Sequence, residues 1–85
     1  MPDSASNELA LVKEFVNEGK FEEAFQHVED LEQKENLSPE ELLRTLNYKS
    51  WSYYGLGQIE IALKITQHLY QKSQELNMPL FIEKI

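Results

Sequence analysis

Two glycines, Gly19 and Gly57, stand 38 residues apart in matching surroundings, FVNEGKFEEAFQ and YYGLGQIEIALK. Each interrupts a run of apolar residues at three- and four-residue spacing, and a second such run follows at once. A helix that breaks so briefly and restarts must turn back on itself, so each glycine predicts the corner of an antiparallel helical hairpin. Glycine suits that corner because it enters the left-handed conformation ending a helix without a Cβ clash. Leu9, Val12, Phe15 and Val16 carry the helix before the first corner, from about Asn7. Phe21, Ala24, Phe25, Val28 and Leu31 carry the helix after it, to about Asn36. Residues 1–6, MPDSAS, are polar and rich in helix breakers, and are expected to fray.

The next start signal lies in NLSPEEL. Ser38 is placed as an N-cap, Pro39 at the first helical position, and Glu41 to close a capping box. Leu37 and Leu42 fall at the two positions of a hydrophobic staple. Leu42, Leu43, Leu46, Ser50, Tyr53 and Tyr54 then carry a third helix to Gly57. Ile59, Ala62, Ile65, Leu69, Ser73 and Leu76 carry a fourth, which Asn77 can end, and Pro79 opens MPLFIEKI. The chain is expected to be all-α.

A shift of 38 residues lays the second half on the first. Gly19 falls on Gly57, Glu22 on Glu60, Ala24 on Ala62, Leu31 on Leu69, Gln33 on Gln71 and Lys34 on Lys72. Phe15 meets Tyr53, Phe21 meets Ile59 and Phe25 meets Leu63. The glycines, Ala24 and Leu31 are the structural members of this set; Glu, Gln and Lys are common on any helix surface. Repetition of this length is the signature of a helical solenoid. The expected plan is one domain over residues 1–85, with repeats at about 7–36 and 38–76 and a short fifth helix, a third repeat's opening or a cap, at 79–85.

At this point the chain resembles the tetratricopeptide repeat family, most closely the longer, degenerate repeats of prokaryotic solenoids. That family places a small residue midway along its A helix, an aromatic three residues later and a glycine at the turn. An aromatic or aliphatic residue follows two places on, and an alanine three beyond that. Ser50, Tyr53, Gly57, Ile59 and Ala62 supply this series in the second repeat, and Val12, Phe15, Gly19, Phe21 and Ala24 in the first. The physical demand is close approach of two helices, with a small side chain at the crossing and an aromatic in the adjoining gap. Leu31 and Leu69 stand where the family prefers a second alanine, Lys49 replaces an aliphatic residue, and the 38-residue period exceeds the common ~34. The resemblance covers roughly residues 7–76. It implies a right-handed α-solenoid of two hairpins and non-catalytic protein–protein interaction.

Composition removes most chemistry. Without cysteine there are no disulfides, thiolate metal sites or cysteine nucleophile. His27 and His68 have no His or Cys at i+3 or i+4, so a metal site would have to recruit carboxylates, and none is expected. Glu22–Glu23 and Glu40–Glu41 sit where a helix begins, complementing its dipole, rather than as acid/base couples. GLGQIE lacks the preceding strand and further glycines of a phosphate loop. The expectation is no enzyme activity and no cofactor. A formal charge of −7 opposes binding to nucleic acid or an anionic membrane. No apolar stretch approaches the ~18 residues of a membrane span, and no signal-like segment opens the chain, so the cytoplasm is the expected location.

Arg44, Asn47, Tyr48, Trp51, Tyr53 and Tyr54 crowd one helix. Tyr53 belongs to the repeat core; by the resemblance Arg44, Asn47, Trp51 and Tyr54 face a groove, with Lys13, Val16 and Asn17 at the matching places in the first repeat. Lys13, Asn17, Arg44, Asn47, Trp51 and Tyr54 are therefore the expected binding set for a protein or peptide ligand. The alternative for Trp51 is packing against a neighbouring hairpin or filling a gap between A helices. The family's carboxylate clamp does not carry over, because Leu9 and Lys13 are the wrong residues for it. A rival reading makes the chain a self-associating module, its homodimer formed through Leu80, Phe81, Ile82 and Ile85; the same segment folded back would be an internal cap. A third reading is a regulatory segment of a larger signalling or enzymatic protein.

Overall fold

The computed structural model describes residues 4–34 and 37–76. They form four helices, α1 (Ser4–Asn17), α2 (Phe21–Glu32), α3 (Pro39–Gly55) and α4 (Ile59–Glu75), and no strand. α1 begins three residues before Asn7: the breaker-rich opening was expected to stay outside the helix, yet Ser4, Ala5 and Ser6 continue it, alanine being the best helix former. α2 stops at Glu32 rather than near Asn36, because Leu31 is its last buried residue and a further turn would have no apolar face to hold it. The predicted fifth helix at 79–85, with Leu80, Phe81, Ile82 and Ile85, lies outside the described residues.

The two corners are built alike. Gly19 and Gly57 have φ of 78° and 86°. At the first corner Gly19 N–H donates to Val16 C=O and Lys20 N–H to Phe15 C=O, at 3.1 and 2.8 Å. Gly57 N–H donates to Tyr54 C=O and Gln58 N–H to Tyr53 C=O at the same two distances, 3.1 and 2.8 Å. These bonds satisfy carbonyls that a helix end leaves unpaired. The start of α3 also forms as predicted: Glu41 N–H donates to Ser38 Oγ at 3.1 Å and Ser38 N–H to Glu41 Oε1 at 2.9 Å. Of the two staple positions, Leu37 packs on the first core cluster and Leu42 on the second.

Each hairpin has its own core. Leu9, Val12, Val16, Ala24, Val28 and Leu31 fill the first, joined from α3 by the fully buried Tyr48 and flanked by Phe15, Phe21 and Trp51. Leu43, Leu46 and Leu69 form the second, flanked by Leu42, Ile65 and Leu76. Ala24 and Ala62 are both buried, as the repeat pattern requires. Phe21 lies flat over Gly55, so a Cβ there would run into its ring, and Phe25 meets Tyr53 edge-on with centroids 5.0 Å apart. These contacts seat α3 on α2, and Tyr48 ties it to the core that α1 and α2 share. α3 touches every other helix, whereas among the described helices α4 packs against α3 alone.

Candidate functional site

The second hairpin closes through hydroxyls where the first closes through methyl groups. Val12 and Val28 are fully buried at the α1–α2 crossing. In the 38-residue register their counterparts are Ser50 and Thr66. Ser50 Oγ donates to Ala62 C=O at 3.0 Å and lies 2.8 Å from Thr66 Oγ1, which also reaches Ala62 C=O at 3.0 Å. Two short side chains let α3 and α4 approach, and they leave a hollow above the crossing.

That hollow is an open groove of about 330 Å³. Asn47, Ser50 and Trp51 line it from α3; Ala62, Leu63 and Thr66 line it from α4. Tyr54 and Ile59 stand at its corner end and Leu69 lower down. Trp51 and Tyr54 meet edge-on with centroids 6.0 Å apart. Tyr54, Ile59 and Leu63 are 57%, 52% and 59% exposed, so the groove presents large apolar side chains to water. Asn47 is only 3% exposed, and its Nδ2 is buried without a hydrogen-bond partner. An amide donor in that state is costly unless something brings it an acceptor.

Of the six residues expected to share one groove, five divide between two places. Asn47, Trp51 and Tyr54 line the α3–α4 groove, whereas Lys13 and Arg44 line a separate depression between α1 and α3 with Leu9, Ala10, Glu41 and Tyr48. Arg44 Nη2 lies 3.6 Å from Glu40 Oε1, one helical turn away. Asn17 is exposed near the end of α1 and lines neither. The two depressions arise because Tyr48 enters the first core and Trp51 packs against it, which fills the space between them. Val16, the groove position in the first repeat, is buried in that core. Ser50 and Ile59 are groove members that the sequence places in the repeat core, Leu63 appears there only as the counterpart of Phe25, and Thr66 carries no signal in the repeat pattern. Their exposure depends on what lies across the hairpin, and periodicity does not report that.

The acidic residues Glu22, Glu23, Glu29 and Asp30 are exposed on α2. Glu32 is paired with Lys49 at 2.9 Å. Glu8, His27 and Asp30 bring ligand-type atoms within 4.8 Å of one another. His27 Nδ1 is 3.1 Å from Glu8 Oε2, its ring is stacked on Phe15 with centroids 5.5 Å apart, and Lys34 Nζ lies 3.8 Å from the other Glu8 oxygen. A cation placed there would compete with the lysine already facing that carboxylate. No helix among the described residues is long and apolar enough to cross a membrane.

No known protein family, curated protein or solved structure matches this chain.

Proposed function

We propose that this chain is a non-catalytic interaction module, a helical-repeat scaffold or adaptor, that holds a segment of a protein partner in the α3–α4 groove. The observation that carries the reading is the exposure of Tyr54, Ile59 and Leu63 beside the half-buried Trp51. Large apolar side chains gathered around a concavity mark interaction surfaces, and aromatic anchors there dominate binding. The groove offers no grouping of nucleophile, base and oxyanion donor. Its polar groups are the Asn47 amide, the Ser50, Tyr54 and Thr66 hydroxyls and the Trp51 indole N–H, which suits recognition rather than bond-making. The solenoid arrangement belongs to the same proposal, and so does a cytoplasmic location. It is supported by the two identically bonded corners and by the seating of α3 across the first hairpin.

Affinity capture with the tagged chain, set beside Trp51→Ala and Leu63→Glu variants, tests this. Partners that depend on the groove should be retained by the parent chain and lost with both variants, while circular dichroism shows the helices intact. Retention by both variants of every partner held by the parent would refute the assignment.

A further inference from the structure

The first hairpin shows what covers such a face. There Phe21 lies against Gly55 and Phe25 against Tyr53, so the covering element is a helix with an aromatic residue two places before a glycine. In the 38-residue register Ile59 stands at the place of Phe21 and Leu63 at that of Phe25. Both of these are exposed, and no described helix lies across them. Resting on the reading that the groove holds a protein segment, we propose that the segment is an α-helix of a different protein, seated on α3 and α4 as α3 is seated on α1 and α2. It sets a glycine or alanine against Ile59 and an aromatic, two residues earlier, against Leu63.

The differences between the two faces define this helix further. Glu32, which holds Lys49 of α3, is replaced in register by the exposed Tyr70. The incoming helix therefore needs no lysine four places before its aromatic.

A second copy stacked head to tail does not fit. Its α1 would take the part of α3, with Ala10, Glu14 and Asn17 in place of Tyr48, Ser52 and Gly55. Those three α1 residues are exposed in this fold. Ser52 is fully buried, and a glutamate carboxylate forced into such a position without a partner is strongly disfavoured. Tyr48 fills the first core, and an alanine leaves that volume empty. The exposed α1 face thus lacks the buried tyrosine and the small residues that seat α3, which is why the helix is assigned to a different protein.

A synthetic peptide of residues 38–57 serves as the probe, because it carries Tyr53 and Gly55 in the required spacing. Titrated into the full isotope-labelled chain, it should give saturable NMR shifts at Asn47, Ile59, Leu63 and Thr66. Gly55→Leu in the peptide, or Leu63→Glu in the chain, should raise Kd at least about tenfold, equivalent to ~1.4 kcal/mol. Absence of binding at about 1 mM peptide, or shifts confined to α1 and α2, would overturn the proposal. Binding seen only after deletion of residues 77–85 would also overturn it, by giving the groove to the chain's own segment. So would competition from self-association of the chain. If a captured partner is lost with Leu63→Glu while the peptide fails to bind, the helix is wrong and the groove assignment stands; if no partner responds to Leu63→Glu, both fall.

Discussion

Replacing Gly55 by alanine opposes two effects whose sizes can be compared. Alanine in a helix is favoured over glycine by up to ~1 kcal/mol, and by less at the last residue of α3, where Gly55 sits. A Cβ at this position meets the Phe21 ring, so the ring must leave its seat. Phe21 is partly buried against the first core, and full truncation of a core phenylalanine costs about 3–5 kcal/mol. Displacing the ring forfeits only part of that, and about 1–3 kcal/mol is usual for overpacking. Subtracting the helix preference leaves a net loss of about 1 kcal/mol, or roughly 4–8 °C in Tm for a domain of this size. Thermal melts of Gly55→Ala measure it. The decisive comparison repeats the substitution in a Phe21→Ala background, where no ring obstructs the Cβ and the change should be neutral or stabilising. A Tm that rises for Gly55→Ala with Phe21 present would refute the seating of α3 on α2.

Two further substitutions separate backbone strain from packing. At Gly57, φ is +86° and a Cβ would meet nothing within 4 Å, so Gly57→Val should lose more than ~1 kcal/mol through the backbone alone, and an unchanged melt would contradict the corner. Ala62 is 5% exposed at the α3–α4 crossing, so Ala62→Leu should cost ~1–3 kcal/mol in urea unfolding; full stability would contradict that crossing.

What the sequence made legible is mostly local. The two glycine corners and the Ser38–Glu41 capping box need only a few neighbouring residues, and both formed as read. The burial of Ala24 and Ala62 followed from the repeat, because register transfers a position's environment from one copy to the other. Contacts between hairpins were harder. Gly55 appears in the sequence only as a glycine beside Gly57, and its closeness to Phe21 depends on how α3 crosses α2. Asn47 reads as a polar residue on a binding face, yet it is buried, since helical spacing gives a face without saying what covers it. The grouping of Glu8 with His27 and Asp30 spans two helices and leaves no trace in spacing along either one.

Among the described helices α4 is attached to α3 alone, which has a dynamic consequence. A helix held through a single interface can detach without disturbing the rest of the fold. Detaching α4 breaks one helix interface and exposes Leu43, Leu46 and Leu69, while Val12, Val28 and Leu31 remain covered. The slowest amide exchange therefore belongs to α1, α2 and the side of α3 that faces them, and α4 samples the solvent first. A helix bound across α3 and α4 would give α4 a second neighbour and slow its exchange. Occupancy of the groove is thereby written into the lifetime of the fourth helix.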